Sequence, residues 1–551
     1  MRKLISLLLL SLGRMAGAAE LPPLGDQAKA WAASFGHGAV ATAEKRDGKW
    51  TFAMAGQPFA AGHAPGHADT SAERVIFEIG SISKVFTGIL LADAVHAGKL
   101  GLDDTLAQRL PVKFADPATG AVTLKQLATH TSCLPRLPGN LTSAADADPY
   151  APYDNRALFE YLANAKLEGK PPCEAAYSNL GFGILGVILE TAWGKPWAEV
   201  VREKIAVPLG MTDTVQELSA DQRSRFAEPW SGGERAQPWT FKAMAGAGAL
   251  RSTLADMSRF ADALLAGAKG PLGHVWPLLA GGHADMPSVG GKIGLGLIQA
   301  KDNGEDSYLH DGGTGGFRST LLVRPGSGRA VVVLASNAAA EPQALLSTWQ
   351  AAGREPVKRS EITLPAEVLD EYVGVYAIDS SARFTLLRRG DGLVARLTGQ
   401  PFAPLFASAK DEFFYKVVDA QLSFHRDASG RIKSLTLHQN GRDLPAIRED
   451  GPPPHIEFPD AATLAEYAGE YDFSQFQPGA TFSVRASPPP EVVLLVQLTG
   501  QPAIPVFSIA KDRFEADVVE AALTFERDAA GKVVAVVLHQ NGMDMRAPRR
   551  P

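Results

Sequence analysis

Apolar residues recur along this chain with two different periods, and the changes of period outline its architecture. After Ser81, the residues Val85, Leu90, Leu91 and Ala94 return at helical spacing, and residues 180–193 and 250–266 are also helical in pattern. Residues 39–56 read instead as two short strands around the turn Asp47-Gly48-Lys49. Residues 317–325 and 329–335 give another pair around Gly326-Ser327-Gly328. Strands from both ends of residues 20–353, with helices inserted between them, describe an α+β domain whose sheet is closed by its own termini.

Beyond that domain the pattern holds only short strands. Breaks in composition at Gly353-Arg354-Glu355-Pro356 and Gly451-Pro452-Pro453-Pro454 set off two further expected units, 356–450 and 455–551. These are copies of one another. Leu397-Thr398-Gly399-Gln400-Pro401 returns as Leu498-Thr499-Gly500-Gln501-Pro502, and Leu437-His438-Gln439-Asn440-Gly441 returns as Leu538-His539-Gln540-Asn541-Gly542, both at an offset of 101. Glu371-Tyr372 matches Glu466-Tyr467 at a shorter offset, so the second copy carries an insertion, assigned to Ser487-Pro488-Pro489-Pro490. Leu422-Ser423-Phe424-His425-Arg426 and Leu435-Thr436-Leu437-His438 alternate apolar and polar residues, with turns at Asp427-Ala428-Ser429-Gly430 and Asn440-Gly441. Two small antiparallel β-barrels in tandem fit this pattern. His438 and His539 read as strand-surface residues, because no carboxylate or cysteine cluster accompanies them as a metal site requires.

A length of 551 residues suits three or so domains, and a net charge of -6 offers no basic footprint for nucleic acid. Arg2 and Lys3, an apolar run from Leu4 to Leu12, and Ala16-Gly17-Ala18 read as a signal peptide over residues 1–18. The run is too short to span a bilayer and Arg14 interrupts it, so no stable membrane anchor is expected and the mature chain is placed in the periplasm or outside the cell. The two cysteines, Cys133 and Cys173, point in an oxidising compartment to one disulfide, the alternative being two buried thiols.

Three short segments carry candidate chemistry. In Phe77-Glu78-Ile79-Gly80-Ser81-Ile82-Ser83-Lys84, Ser81 falls where a helix begins, so unsatisfied backbone N–H groups point at whatever approaches its hydroxyl. Lys84 lies one turn along the same face, and a serine with a deprotonated amine in reach is an activated nucleophile. Ser508-Ile509-Ala510-Lys511 repeats the spacing without the apolar helical continuation and reads as a chance match. In Tyr177-Ser178-Asn179, a phenol near an ammonium is stabilised as phenolate and can shuttle protons, and the Asn179 amide can hold a substrate carbonyl. Tyr153-Asp154-Asn155, with the same spacing, reads as a helix start. In His310-Asp311-Gly312-Gly313-Thr314-Gly315-Gly316 the glycines let a substrate backbone lie against the strand edge. His96-Ala97-Gly98 reads as a helix end.

In this order and context the three segments resemble the S-x-x-K, Y-x-N and (K/H)-x-G elements of the penicillin-recognising serine enzymes. The likeness is greatest to class C β-lactamases and the D,D-peptidases, esterases and D-aminopeptidases related to them. Leu127-Ala128-Thr129-His130-Thr131-Ser132 and Tyr177-Ser178-Asn179-Leu180-Gly181-Phe182-Gly183 are similar to the same family, and the resemblance spans residues 30–345. It implies an antiparallel sheet flanked by helices, with a helical subdomain. Ser81 is expected to be acylated, Lys84 to take its proton, Tyr177 to pass a proton to the leaving group, and Asn179 to meet the substrate amide. Gly312 and Gly313 are expected to line the substrate, with the backbone N–H groups of Ser81 and Gly313 as oxyanion hole. His310 would face a substrate carboxylate or hold the field around Tyr177.

The resemblance also sets expectations for partners. The substrate is a small molecule or short peptide (a β-lactam, a D-amino-acid amide or an ester), and no metal or organic cofactor is needed, because hydroxyl, amine and phenol suffice. Class C β-lactamases commonly begin the third element with Lys; a neutral imidazole at His310 attracts a carboxylate less and shifts the reading toward the peptidase branch. Family chains commonly have glycine where Cys133 and Cys173 stand, and their paired replacement implies a disulfide bracing the Tyr177 loop. The two repeats resemble lipocalin-like barrels appended to some family hydrolases, with a role in substrate size, stability or assembly; no feature sets an oligomeric state. A β-lactamase-type hydrolase is the first reading, and a D,D-peptidase, D-aminopeptidase or esterase the second. A penicillin-binding sensor or peptidoglycan-binding protein without turnover stands outside the class.

Overall fold

The computed structural model describes residues 24–35, 37–59, 71–141, 148–167, 169–286, 289–302, 305–340, 342, 346, 359–378, 382–416, 420–439, 442–476, 479–486, 493–499, 503–540 and 542–550. The expected signal peptide, the break at 353–356, the turn at 440–441 and the insertion at 487–490 lie outside these residues. The chain packs as two units, 20–352 and 353–551.

The first unit is built on an eight-stranded antiparallel sheet. Strands β1 (Ala39–Arg46) and β2 (Lys49–Gly56) come from its start. Strands β3 (Ala284–Met286), β4 (Gly291–Ile293), β5 (Ile298–Asp302), β6 (Glu305–Gly313), β7 (Arg318–Arg324) and β8 (Arg329–Ala335) come from its end. Their order is β2-β1-β8-β7-β6-β5-β4-β3, with β1 and β8 paired from Val40–Ala335 to Lys45–Ala330. The two ends of the unit therefore meet inside the sheet. Strands β7 and β8 are apolar on both faces because both faces are covered. Leu321, Val323, Val332 and Leu334 join the large helical core, whereas Leu322, Val331, Val333 and Ala335 pack with Leu24, Ala28 and Ala32 of helix α1 (Leu24–Phe35).

Helices α2 (Ser83–His96) and α3 (Asn179–Trp193) are apolar around nearly their whole circumference, the pattern of helices enclosed by protein. Helix α4 (Leu254–Ala266) packs beside them, Phe260 stacking on Phe86 at 4.3 Å between ring centroids. Ser178 caps α3 by accepting the Gly181 N–H at 3.1 Å, which fixes Tyr177 one residue outside the helix. Asp154 caps the helix Asn155–Asn164 in the same way, so the competing Tyr153-Asp154-Asn155 segment is a helix start.

In the second unit, strands from Gly374–Ala377 through Arg442–Arg448 pair in sequence order and close into a barrel, Tyr376 meeting Arg448 and Ala377 meeting Ile447. The second copy repeats the eight-stranded meander from Gly469–Asp472 to Met543–Pro548, but its seam is a single bridge, Tyr471 to Arg549. One corner is duplicated closely. The Tyr372 hydroxyl donates to Asp411 at 2.9 Å and Tyr467 to Asp512 at 2.9 Å, while Arg426 and Arg527 close on the same carboxylates. His438 bonds Ser423 and Asp443, and His539 bonds Thr524 and Asp544, each from a strand surface. Ser508 lies in the strand Ile504–Ala510, away from any helix start.

Arg396 of the first copy is buried, ion-paired with Asp517 of the second, and its guanidinium lies 4.0 Å from the Phe507 ring centroid. Leu387, Val394, Phe402 and Val493 complete this small apolar cluster. Removing one member of a buried ion pair leaves the other charge uncompensated, at a cost of roughly 3–5 kcal/mol. Arg396→Ala is accordingly expected to lower the calorimetric unfolding transition of residues 353–551 while leaving that of residues 20–352 in place.

Candidate active site

Ser81 occupies a one-turn 3₁₀ segment, Gly80–Ile82, between the short strand Phe77–Glu78 and α2. Two neighbours fix that turn. On one side the strand pairs with Arg251–Ser252 and the Ile79 N–H donates to Leu250 O at 3.0 Å. On the other, the end of β6 and the start of β7 press against it, with Ser319 Oγ of β7 donating to Ile79 O at 2.9 Å. Gly80 has φ +49°, and a Cβ there would stand 2.7 Å from Gly313 N; a Cβ on Gly312 would stand 2.0 Å from Ile79 O. The two backbones touch because neither glycine has a side chain. This contact brings the Gly313 backbone to the Ser81 turn.

Lys84 is fully buried, and its Nζ lies 2.9 Å from Ser81 Oγ, 2.9 Å from Asn179 Oδ1 and 2.7 Å from Ala247 O. None of these partners is a carboxylate. Burial therefore holds the Lys84 pKa well below that of a free lysine, and the charge of Arg136 adds to the effect. Asn179 is engaged at both ends, its Nδ2 donating to the Tyr150 hydroxyl at 3.2 Å.

Tyr177 shares a hydrogen bond with Ser81, and Lys84 Nζ lies 4.8 Å from its ring centroid. Burial pushes the phenol above its ordinary pKa, against the smaller opposing pulls of Ser81 and Arg136. This corrects the phenolate expected from the sequence. Burial disfavours both the ammonium and the phenolate, so desolvation favours the phenol as the resting group.

His310 on β6 is buried, with its ring 6.3 Å from that of Tyr177. Burial brings its pKa down to about 3. Its Nδ1 lies 2.6 Å from Asp311 O and therefore carries the proton, leaving Nε2 as a buried acceptor with no partner among the described residues. The ring stands beside Tyr177 as a neutral group, in keeping with the neutral imidazole assumed from the sequence.

His130 was not singled out by residue type or spacing, and its signal lay only within Leu127–Ser132. It packs 4.7 Å from the Tyr177 ring and 5.1 Å from Phe182, and its Nδ1 accepts the Ser178 N–H at 3.1 Å. Burial holds its pKa well below the usual imidazole value. Cys133 and Cys173 are disulfide-bonded, with Cα atoms 5.5 Å apart. Backbone bonds from Cys173 N to Thr131 O and from Ala176 N to His130 O, both 2.9 Å, run alongside the bridge. The structure thus gathers Ser81, Lys84, Tyr177, Asn179, His310, Gly312 and Gly313 around one point, with the Cys133–Cys173 bridge behind Tyr177. No group of metal-ligating side chains occurs among the described residues.

Comparison with known proteins supplies the class. The Beta-lactamase family profile matches residues 31–353, more than half of the chain, and the chain belongs to that family. A second profile, a domain of unknown function (DUF3471), matches residues 358–447. The D-alanyl-D-alanine-carboxypeptidase/endopeptidase AmpH of Escherichia coli K12 is 35% identical over 188 residues, 34% of this chain and 48% of that protein. The chain therefore spans about half the length of that relative. Penicillin-binding protein 4* of Bacillus subtilis is 24% identical over 425 residues, covering 70% of this chain and 91% of its own. Among solved structures, a class C β-lactamase from Rhodobacter sphaeroides aligns at 20% identity with a TM-score of 0.48, covering 59% of this chain and 97% of that one.

Glu78, just before the Ser81 turn, is buried. It accepts from Trp239 N at 3.0 Å and from Arg251 Nη2 at 3.1 Å. Burial outweighs Arg251 and raises its pKa from 4.5 to about 7. Between those values the folded state keeps a proton that the unfolded chain has released, so stability falls as pH rises, by roughly 3 kcal/mol in all. Denaturant midpoints at pH 5 and pH 8 should show this fall in the native chain and a flattened profile in Glu78→Gln.

Proposed function

We propose that this chain is an exported serine hydrolase that forms an acyl-enzyme at Ser81 and cleaves an amide bond, that of a D-alanyl peptide or of a β-lactam. The observation that carries the reading is the buried Lys84 Nζ 2.9 Å from Ser81 Oγ with no carboxylate among its partners, a setting that favours the neutral amine. A neutral amine has two N–H bonds and one lone pair. Asn179 Oδ1 and Ala247 O are acceptors, so they take the two N–H bonds and the lone pair is left for the Ser81 hydroxyl proton.

In the first step Ser81 Oγ bonds to the substrate carbonyl carbon as its proton passes to Lys84 Nζ. The carbonyl oxygen becomes an oxyanion, held by the backbone N–H groups of Ser81 and Gly313; such donors are worth about 3–4 kcal/mol each in transition-state stabilisation. Tyr177, protonated at rest, then gives its proton to the leaving nitrogen and recovers one from Lys84, whose ammonium is the unstable form in this burial. The C–N bond breaks and the amine departs. Water repeats the sequence on the ester, returning Ser81.

His310 favours the peptidase over the β-lactamase reading, since no ammonium stands in the third element. The carboxypeptidase and penicillin-binding names carried by relatives support the same choice. Export rests on the pattern of residues 1–18; no helix among the described residues is long and apolar enough to cross a membrane.

Intact mass after exposure to a chromogenic cephalosporin, together with D-alanine release from an acylated D-alanyl-D-alanine peptide, tests the reading. Expected are a Ser81 adduct and peptide turnover, with Ser81→Ala losing the adduct and at least about a thousandfold of the rate. Rapid Ser81-dependent opening of the cephalosporin would restore the β-lactamase reading. A lasting adduct with no peptide turnover would favour a sensor, and no reaction with either compound would contradict the proposal.

A further inference from the structure

Four basic side chains pack against the Tyr177 ring among the described residues: Lys84, His130, His310 and Arg136. Three of them are buried, and burial lowers the pKa of each toward the uncharged form. Arg136 differs in kind. A guanidinium stays charged at any pH the protein meets, and this one is exposed at the rim, its Cζ 5.0 Å from the Tyr177 ring centroid.

Arg136 is also fixed in place. Its carbonyl accepts the N–H groups of Asn179 at 3.0 Å and Leu180 at 3.2 Å, so its backbone closes the first turn of α3. The preceding carbonyl, Pro135 O, accepts from Ser178 Oγ at 2.8 Å, and Cys133 is bonded to Cys173. No carboxylate neutralises it: among the described residues its guanidinium forms no ion pair and no hydrogen bond. Asp311, the carboxylate that acts on Tyr177, is bonded by Thr320 instead. A cation anchored by its backbone, with no ion-pair partner among the described residues, thus borders a reaction centre whose other basic groups are buried.

We propose that Arg136 is the anion anchor of this site, binding a carboxylate of the substrate through its planar fork of N–H donors. The inference rests on the reading of Ser81 as nucleophile and adds what that reading lacks, a charge to orient an anionic substrate. The carboxylate belongs either to the leaving group, as at a peptide C-terminus, or to the acyl side.

Calorimetric titration of Ser81→Ala, which cannot turn substrate over, separates these sources. The probes are N-acetyl-D-alanyl-D-alanine, its C-terminal amide, and N-succinyl-D-alanyl-D-alaninamide, measured with and without Arg136→Gln. One of the two carboxylate ligands should bind about tenfold or more tightly than the neutral amide, and Arg136→Gln should abolish that preference. Equal weakening of all three ligands, no effect of the substitution, or no preference for either carboxylate would overturn the anchor. Absence of a Ser81 adduct in the mass experiment defeats the catalytic reading alone, because the titration needs no turnover.

Discussion

Lys84 enters the core of this protein with no carboxylate to meet it. Its polar neighbours are a hydroxyl, a side-chain amide and a backbone carbonyl, contributed by Ser81, Asn179 and Ala247, which lie far apart in the sequence. A charged amine among them would lose its hydration without gaining a counter-ion, so the uncharged form is preferred. The consequences spread outward. A neutral Lys84 has no charge to hold Tyr177 as a phenolate, and among the described residues Arg136 is then the exposed cation packed on that ring.

The surrounding structure keeps that cluster close. Gly80 and Gly312 let the Ser81 turn and the end of β6 meet backbone to backbone, where an added Cβ would fall 2.7 Å or less from main-chain atoms. Behind Tyr177, Cys133 adopts φ +58°, a left-handed conformation in which glycine has no penalty and other residues cost about 1–2 kcal/mol. The bridge it makes closes a span of 40 residues. On the chain-entropy model such closure contributes about 4 kcal/mol, which outweighs the strain. Residues 130–136 and 173–180 are thereby held as one piece, and that piece carries His130, Arg136, Tyr177 and Asn179.

Much of the fold was legible in the sequence because it is written in local periods. Apolar residues at helical spacing marked α2, and two hairpins at the ends of one unit announced the sheet in which β1 and β8 pair. The duplication was legible because Leu-His-Gln-Asn-Gly returns at a constant offset. The near-open seam of the second copy was not, since it depends on whether Tyr471 reaches Arg549. In the site, Ser81 and Lys84 were found because one helical turn separates them. Their protonation states could not be read, because these follow from burial by Ala247, Asn179 and Phe182, which no local motif encodes. His130 lay within the Leu127–Ser132 likeness without a role of its own, because its packing on Tyr177 and Phe182, like the Arg136 ring contact, arises only when two distant segments are tied together.

The central claim is that Lys84 rests as a neutral amine, and lysine side-chain NMR measures this directly. In protein labelled with carbon-13 and nitrogen-15 at lysine, the Lys84 signal, assigned by its loss in Lys84→Met, should show the shift of an uncharged amine at pH 7. It should titrate, if at all, well below the other lysines. A Lys84 signal that stays that of an ammonium up to pH 9 would contradict the account, and the Ser81 proton would then need another acceptor.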